Sequence, residues 1–582
     1  MSSFAREESV ASLIAEFFRY RGLRFVHQLS GGMIAFLADA FVRHGVELVN
    51  YRHEQSAGFA AEGESRVLNR PSLALATSGP GATNLLTAIA SCYFDSSPVI
   101  FITGQVNSRE IKRNLEQRQN GFQELDIVNL CQSITKLAVR VESSSDIPQL
   151  LESAWKIALS DRKGPVLIDI PIDIQQQVSA GYDSWISRKS LLPRNVTQGR
   201  KFLSPSRNNK LPRRVFRLER IANLLNAAKK PLILVGGGVR LDESVEEFRQ
   251  FAAKTNLPVV SSLMGLDAPN HETSNYVGFI GSYGNRWANR ALYQSDVLLV
   301  LGSRLDIRQT GGFVNDFTSG KRIIRVDIDQ WELKGRIRAE FNFQMRIKDF
   351  IGALDSENLI SSEATEFLEE ISGWRTMCES LDRQLVNYGV DPVTALNEIS
   401  AFSNDSNGYF VDVGQHQMWA AQSLKLNAHQ RFITSGGLGS MGFAIPSSIG
   451  ATTTTGKRWI AITGDGCAQL SISELQTIKQ YNLPITVYIF NNQQHGMVAQ
   501  FQEEYLDSNF VGTRIGYSSP NFTSVASAFG LRAIRVSTFK ELVEAHSKIL
   551  HAKFEPNIIE VMISHEYKAL PKLGNEMRLK DM

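Results

Sequence analysis

The segment RWIAITGDG carries a strand-forming apolar run directly into Gly464-Asp465-Gly466, and the next such run, PITVYIFNN, ends in Asn491-Asn492. A carboxylate oxygen on Asp465 and an amide oxygen on Asn492 are hard donors suited to Mg2+ or Ca2+, with diphosphate oxygens and water completing the shell. Gln494, just beyond, is a further candidate metal ligand. Gly464 and Gly466 with Cys467, and Gly496 with Met497 in HGMVAQ, are candidate phosphate contacts, because glycine lets backbone approach a phosphate closely. Two parallel strands bring both donors to one sheet edge, where α/β proteins bind ligands. G-D-G alone occurs in many turns; the Asn pair one helix and one strand later makes it a signal.

This spacing from Asp465 to Asn492 resembles the fingerprint of thiamin-diphosphate enzymes. In that superfamily a glutamate from a different domain activates the cofactor's aminopyrimidine, and Glu54 in YRHEQSAGFAAEG matches it. The chemistry needs a carboxyl that shares a proton with the ring, so that the exocyclic amine becomes basic enough to deprotonate the thiazolium carbon. A lone helical glutamate is ordinarily a solvated residue; the flanking pattern and the downstream TSGPGATN loop set this one apart. Met441 in TSGGLGSMGFAIP, with Gly439 before it, matches the bulky residue that bends the cofactor, although by itself it reads as a core methionine. Gly414, Gln415 and His416 in VDVGQHQMW resemble diphosphate contacts. The superfamily's glutamate and metal site come from different subunits, so the resemblance implies at least a homodimer, or a homotetramer, with active sites between chains.

The wider resemblance is to the acetolactate synthase catalytic subunit, through TSGPGATNL, ITGQV, GFQELDIV, PVLIDIP, VGQHQMW and SGGLGSMGF across nearly the whole chain. It implies FAD in a middle domain, with Gly236 and Gly237 in LVGGGVR, Arg304 and Asp306 in GSRLDIRQTG, Asp327 in VDID, and Arg162 in DRKGPV as its contacts. Arg308 matches the arginine that holds the acceptor's carboxylate, a task suited to a bidentate guanidinium. Phe122 and Gln123 match residues around the reacting carbon of carboligating members.

Several positions depart from the synthase pattern where the acceptor is expected to sit. Phe501 stands for a tryptophan, Ile172 for a lysine, Leu137 for a histidine, and Ser282-Tyr283 for Met-His, while the segment from Gln105 to Phe122 is longer. A less polar acceptor pocket is the expectation.

The elements that position these groups follow from the rest of the chain. At 582 residues it exceeds one hydrophobic core. Its 43% apolar and 21% charged residues are ordinary for globular domains. Short apolar runs alternate with helical stretches, which predicts parallel strands with crossover helices. The expected architecture is α/β, three doubly wound parallel-sheet domains: a pyrimidine-binding domain at 1–185, a linker at 186–215, a central nucleotide-binding-like domain at 216–355, a linker helix region at 356–389, and a diphosphate-binding domain at 390–582. Ser471 and Glu474 have capping-box spacing at the start of SISELQTIKQY.

A net charge of +3 argues against nucleic acid as a partner. No apolar run reaches the roughly 18 residues of a membrane helix, and the N-terminus lacks a signal-peptide pattern. Four scattered cysteines suggest neither disulfides nor zinc, so a soluble protein of the reducing cytoplasm is expected.

The expected activity is decarboxylation of pyruvate and transfer of the two-carbon remainder to a second carbonyl, using thiamin diphosphate, Mg2+ and FAD. The alternatives are a ketone or nucleotide-linked keto-sugar acceptor, a pyruvate oxidase or decarboxylase, and a non-catalytic cofactor-binding subunit.

Overall fold

The computed structural model describes residues 8–112, 114, 116–179, 211–355, 359, 363–378, 381–574 and 578–582. Most of the linker expected at 186–215, and part of the 356–389 region, lie outside the described residues. The helix Leu211–Ala227 leads into the middle domain from within the first of these segments.

Among the described residues, the strands form three parallel sheets of six strands each. Central strands such as Ser72–Ala76, Val99–Gln105, Pro231–Val235, Val297–Leu301, Trp459–Gly464 and Ile485–Asn491 are buried along their whole length. Continuous burial requires helices on both faces of the sheet, which explains why these segments read as unbroken apolar runs.

The first sheet contains β1 (Phe25–Gln28), β2 (Glu47–Asn50), β3 (Ser72–Ala76), β4 (Val99–Gln105), β5 (Leu137–Arg140) and β6 (Val166–Pro171), in the order β2-β1-β3-β4-β6-β5. The middle sheet contains β7 (Pro231–Val235), β8 (Val259–Ser261), β9 (Tyr276–Phe279), β10 (Val297–Leu301), β11 (Arg322–Asp327) and β12 (Phe341–Gln344), in the order β12-β11-β10-β7-β8-β9. The last contains β13 (Gly408–Val411), β14 (Arg431–Thr434), β15 (Trp459–Gly464), β16 (Ile485–Asn491), β17 (Arg532–Val536) and β18 (Asn557–Met562), in the order β14-β13-β15-β16-β18-β17. The first and last sheets thus share one topology. The middle sheet, read from β9, has the 3-2-1-4-5-6 order of dinucleotide-binding folds.

The first and last domains share a core in which Phe59, Ala60 and Tyr51 meet Phe443, Ile445 and Ile449. Helix Glu54–Leu68 lies directly on helix Ala444–Thr455. A Cβ on Gly63 would fall 2.1 Å from the Ser447 carbonyl oxygen, and one on Gly450 would fall 2.0 Å from that of Ala60, so two glycines set this approach.

The capping box expected at Ser471 and Glu474 does not form. The helix starts at Glu474, whose carboxylate instead accepts from Arg52 N at 3.0 Å and Thr477 Oγ1 at 2.6 Å. A neighbouring domain offered it an unpaired amide, and that tertiary contact outcompeted the local cap. No helix among the described residues is long and apolar enough to cross a membrane.

Candidate active site

The switch point of the last sheet lies between β13 and β15, and a cavity of about 90 Å³ opens at the carboxyl ends of these strands and β16. Helices Gln415–Ser423 and Gly496–Tyr505 begin at this cavity, and the short helix Asp465–Leu470 starts there too. Their first residues, Gln415-His416, Gly496-Met497 and Asp465 to Cys467, line it together with Gly414, Gly464, Met441, Asn492 and Gln494. Converging helix N-termini present unpaired N–H groups and partial positive charge, the ordinary environment of a phosphate.

Asp465 and Asn492 reach the cavity because Gly464 pairs with Phe490 in the β15–β16 register, which places both strand ends side by side. Burial raises the Asp465 carboxyl to about 6, opposed by a hydrogen bond from Tyr517 Oη to Oδ2 at 2.7 Å. Asn492 donates from Nδ2 to Gln415 Oε1 at 3.0 Å, so its Oδ1 is the atom presented as a donor to a cation. The amide of Gln494 is engaged: Oε1 accepts from Arg514 Nε at 2.6 Å and Nε2 donates to the His565 carbonyl at 3.0 Å.

His416 is buried, and burial lowers its imidazole to about 3, so the ring is neutral. Its Nε2 has no hydrogen-bond partner among the described residues, which leaves an unsatisfied polar atom at the wall of the cavity. Gly496 leaves room for the Gln415 and Asn492 amides: a Cβ would stand 2.0 Å from Gln415 Oε1 and 2.9 Å from Asn492 Nδ2, so both side chains would have to move. Hard oxygen donors, an orphaned imidazole nitrogen and a backbone cradle together fit a metal-bound diphosphate. Gly439, with φ +74, stands beside Met441 but does not line the cavity.

Glu54 belongs to a second cluster, in the first domain. It begins helix Glu54–Leu68, is buried, and accepts from Asn84 Nδ2 at 2.9 Å on Oε2. Gly81 sits against Oε1, where a Cβ would be 3.2 Å away. Gln123 has the unusual φ of +66 and packs on Gly79, so the TSGPGATN loop gathers Glu54 and Gln123, with Phe122 beside it at 81% exposure. Among the described residues, none lining the cavity comes from the first domain. The Glu54 cluster and the cavity therefore have separate linings within one chain.

Arg308 acts on Tyr283, and Phe501 packs on Tyr505, which also acts on Tyr283. The Tyr283 hydroxyl is pushed up to about 12 by burial and Glu504, while Arg308 opposes the shift. Phe501 stacks in tilted fashion on Tyr505, with ring centroids 4.8 Å apart, and both are partly exposed. Ser282 donates to the Arg308 carbonyl at 2.7 Å and fixes that turn. Ile172 follows the carboxyl end of β6, on the site side of its sheet. Leu137 does not belong to this region: it opens edge strand β5, opposite Val166, and packs on the first-domain core. The segment TKLA enters the strand from the amino end, which carries its side chain away from the ligand-binding edge.

A larger cavity of about 590 Å³ lies at the switch point of the middle sheet, between β7 and β10. Gly237, Arg304, Asp327 and Arg162 line it. Arg162 pairs with Glu332 at 2.7 Å and Asp329 at 3.4 Å, and burial raises Asp327 to about 6. Gly236 stands behind the wall, where a Cβ would be 2.2 Å from the Gly302 carbonyl oxygen. Asp306 caps helix Ile307–Thr310 through the amides of Arg308 and Gln309, outside the lining.

Tyr517, Asp412 and Asp95 escaped the sequence reading, because their partners lie far away in the chain and no spacing announces them.

Comparison with known proteins agrees with this geometry. Residues 8–130 match the N-terminal TPP binding domain of thiamine pyrophosphate enzymes, 218–354 their central domain, and 412–561 their C-terminal TPP binding domain. Acetolactate synthase 2 of Nicotiana tabacum, chloroplastic, is 35% identical over an alignment covering 100% of this chain and 86% of the relative. The acetolactate synthase isozyme 2 large subunit of Escherichia coli K12 is 33% identical, covering 95% of each. The large subunit of Cyanidium caldarium is 33% identical, over 90% of this chain and 87% of the relative. With three thiamin-diphosphate domains in sequence and this identity over its full length, the chain belongs to the acetolactate synthase family of thiamin-diphosphate enzymes.

Proposed function

We propose that this chain is a carboligase that decarboxylates pyruvate and joins the two-carbon remainder to a second carbonyl compound. The observation that carries the reading is the conjunction of Asp465, Asn492, three helix N-termini and the unpartnered His416 Nε2 around one cavity. In this reading Asp465, the Asn492 side-chain oxygen and the Gln494 backbone carbonyl hold Mg2+, since the Gln494 side chain is already engaged. His416 Nε2 and the amides at Gly466 and Gly496 receive the diphosphate. When bound, thiamin diphosphate would supply an acidic thiazolium carbon and an electron sink for the electron pair left on the donor's former carbonyl carbon as carbon dioxide departs.

Glu54 comes from a second copy of the chain, which accounts for its absence from the cavity lining. Asn84 holds one carboxyl oxygen of Glu54, leaving the other free to share a proton with the pyrimidine. Gln123 and the exposed Phe122 then close over the reacting carbon and exclude water. A homodimer is the smallest assembly that completes the site.

FAD is the proposed occupant of the middle cavity, supported by the 3-2-1-4-5-6 strand order and by Gly237, Arg304, Asp327 and Arg162 in its wall. Four free cysteines favour a reducing compartment such as the cytoplasm.

The acceptor side is formed by Arg308, Tyr283, Phe501 and Tyr505. Arg308 favours a carboxylate on the acceptor, which from a second pyruvate gives acetolactate. The aromatic surface at Phe501 and Tyr505 favours a second reading, a ketone acceptor that stacks there. Purified protein with thiamin diphosphate, Mg2+, FAD and pyruvate, with and without an added ketone, tests both through carbon dioxide release and product identity. Acetolactate from pyruvate alone supports the first reading, and release accelerated by the ketone with a tertiary alcohol product supports the second. Absence of pyruvate-dependent carbon dioxide in both mixtures overturns the proposal.

A further inference from the structure

The loop that carries Met441 is held at both ends by buried carboxylates, and one of them comes from another domain. At its entry, the amides of Gly436 and Gly437 donate to Asp95 Oδ2 and Oδ1 at 3.0 and 2.7 Å. Arg66 lies 3.7 Å from Asp95 and donates to the carbonyl of Thr434, the last residue of β14, at 2.7 Å. At the exit, Asp412 accepts from the amides of Gly442, Phe443 and Ala444 at 2.9, 3.3 and 3.2 Å. Ser440 N closes the loop on Ser435 Oγ at 3.1 Å.

The entry is also wedged sterically. A Cβ on Gly436 would stand 2.2 Å from Met264 Sδ, and one on Gly437 would stand 2.6 Å from Phe94 Cβ. Between the two ends Leu438 is partly exposed, and a Cβ on Gly439 would meet nothing within 4 Å. The place of Met441 in the cavity wall is thus set by the ends of the loop and not by packing along it. The amides offset part of the cost of burying each carboxylate, and removal of the carboxylate strands those amides without partners.

We propose that Asp95 and Asp412 act as a two-carboxylate clamp that positions Met441 against thiamin diphosphate, so that the docking of the first domain on the last shapes the cofactor cavity. The inference rests on the reading of that cavity as the thiamin-diphosphate site. Asp95 is the informative half, since it belongs to the first domain yet touches the loop only through backbone amides.

The test is a double-mutant cycle on the full chain with Asp95→Ala, Met441→Ala and the pair. Affinity for thiamin diphosphate with Mg2+ is measured by calorimetry, alongside the melting temperature of the cofactor-free protein. The clamp predicts that Asp95→Ala weakens binding by about tenfold or more, and that the pair loses no more than Met441→Ala alone. Additive losses, or unchanged affinity in a folded Asp95→Ala, overturn it. If Asp95→Ala does not fold, Asp95→Asn keeps the volume and one acceptor, and the same cycle is run with it. Failure of the wild-type chain to bind the cofactor overturns the reading of the cavity itself; binding by the wild type with an additive cycle overturns the clamp alone.

Discussion

The Tyr517 hydroxyl donates to Asp465 Oδ2 at 2.7 Å and accepts from Gln469 Nε2 at 3.2 Å, which fixes the orientation of the carboxylate proposed to hold the metal. Partners of this kind set the direction in which a ligating oxygen faces, and their loss typically costs metal affinity about 10–100-fold. Tyr517→Phe removes only the hydroxyl. We expect a Mg2+ requirement shifted upward by about tenfold, with turnover restored at saturating Mg2+ and cofactor. A titration of cofactor binding against Mg2+ checks it, and a curve that overlays the wild type would remove Tyr517 from the site.

Gly496 lies where a side chain would strike both Gln415 and Asn492. Gly496→Ala is expected to weaken thiamin-diphosphate binding by about tenfold while the protein still folds, because the methyl displaces the Gln415 and Asn492 amides and the clash is confined to the cavity. Calorimetric binding together with the far-ultraviolet dichroism spectrum separates the two effects. Wild-type affinity in the variant would show that the cradle is wider than this geometry allows.

Glu54→Gln retains the hydrogen bond from Asn84 but cannot share a proton with the pyrimidine. Turnover should fall by about 10²–10⁴-fold, the usual worth of a positioned acid–base group, with cofactor affinity largely kept. Unaltered kcat in this variant would refute the assigned role. Mixing it with a folded Asp465→Ala chain should restore part of the activity if each site draws on two copies.

Glu62 is buried beside Asp95, Cys92, Arg66, Ser91 and Ser97. Burial, and then the Asp95 charge, pushes its carboxyl from 4.5 up to about 7, against Arg66 and the two serine hydrogen bonds. A carboxyl raised on folding binds its proton more tightly in the native state, so its contribution to stability is fully present below about 4.5 and is lost as pH rises through about 7. Glu62→Gln cannot lose that proton. The melting temperature of the wild type should therefore drop more than that of the variant between pH 5 and 7.5, and parallel curves would contradict the assignment.

Helix contact between the first and last domains depends on two glycines. Gly450→Ala places a methyl within 2.0 Å of the Ala60 carbonyl oxygen, which the neighbouring backbone cannot yield without separating the helices. A loss of about 1–3 kcal/mol is expected from overpacking, read by denaturant unfolding of the full chain. A stability equal to the wild type would mean that the helices part without cost.

The sequence alone determined the features that are local along the chain. An apolar run buried on both faces marks a parallel strand wherever it occurs, so the three α/β domains were legible in stretches such as WIAITG, VLLVL and SLALA. The side-by-side placement of Asp465 and Asn492 was legible too, because each directly follows its strand and adjacent parallel strands deliver their ends together. Only the tertiary structure decided which groups meet across the fold: Tyr517 on Asp465, Asp95 on the Met441 loop, and Glu474 turned from its own helix to Arg52. It also moved Leu137 to the far end of its strand and set Glu54 apart from the cavity of its own chain. Periodicity and spacing report a segment's own conformation, whereas these contacts join residues tens to hundreds of positions apart, and their energy exists only once the domains have packed.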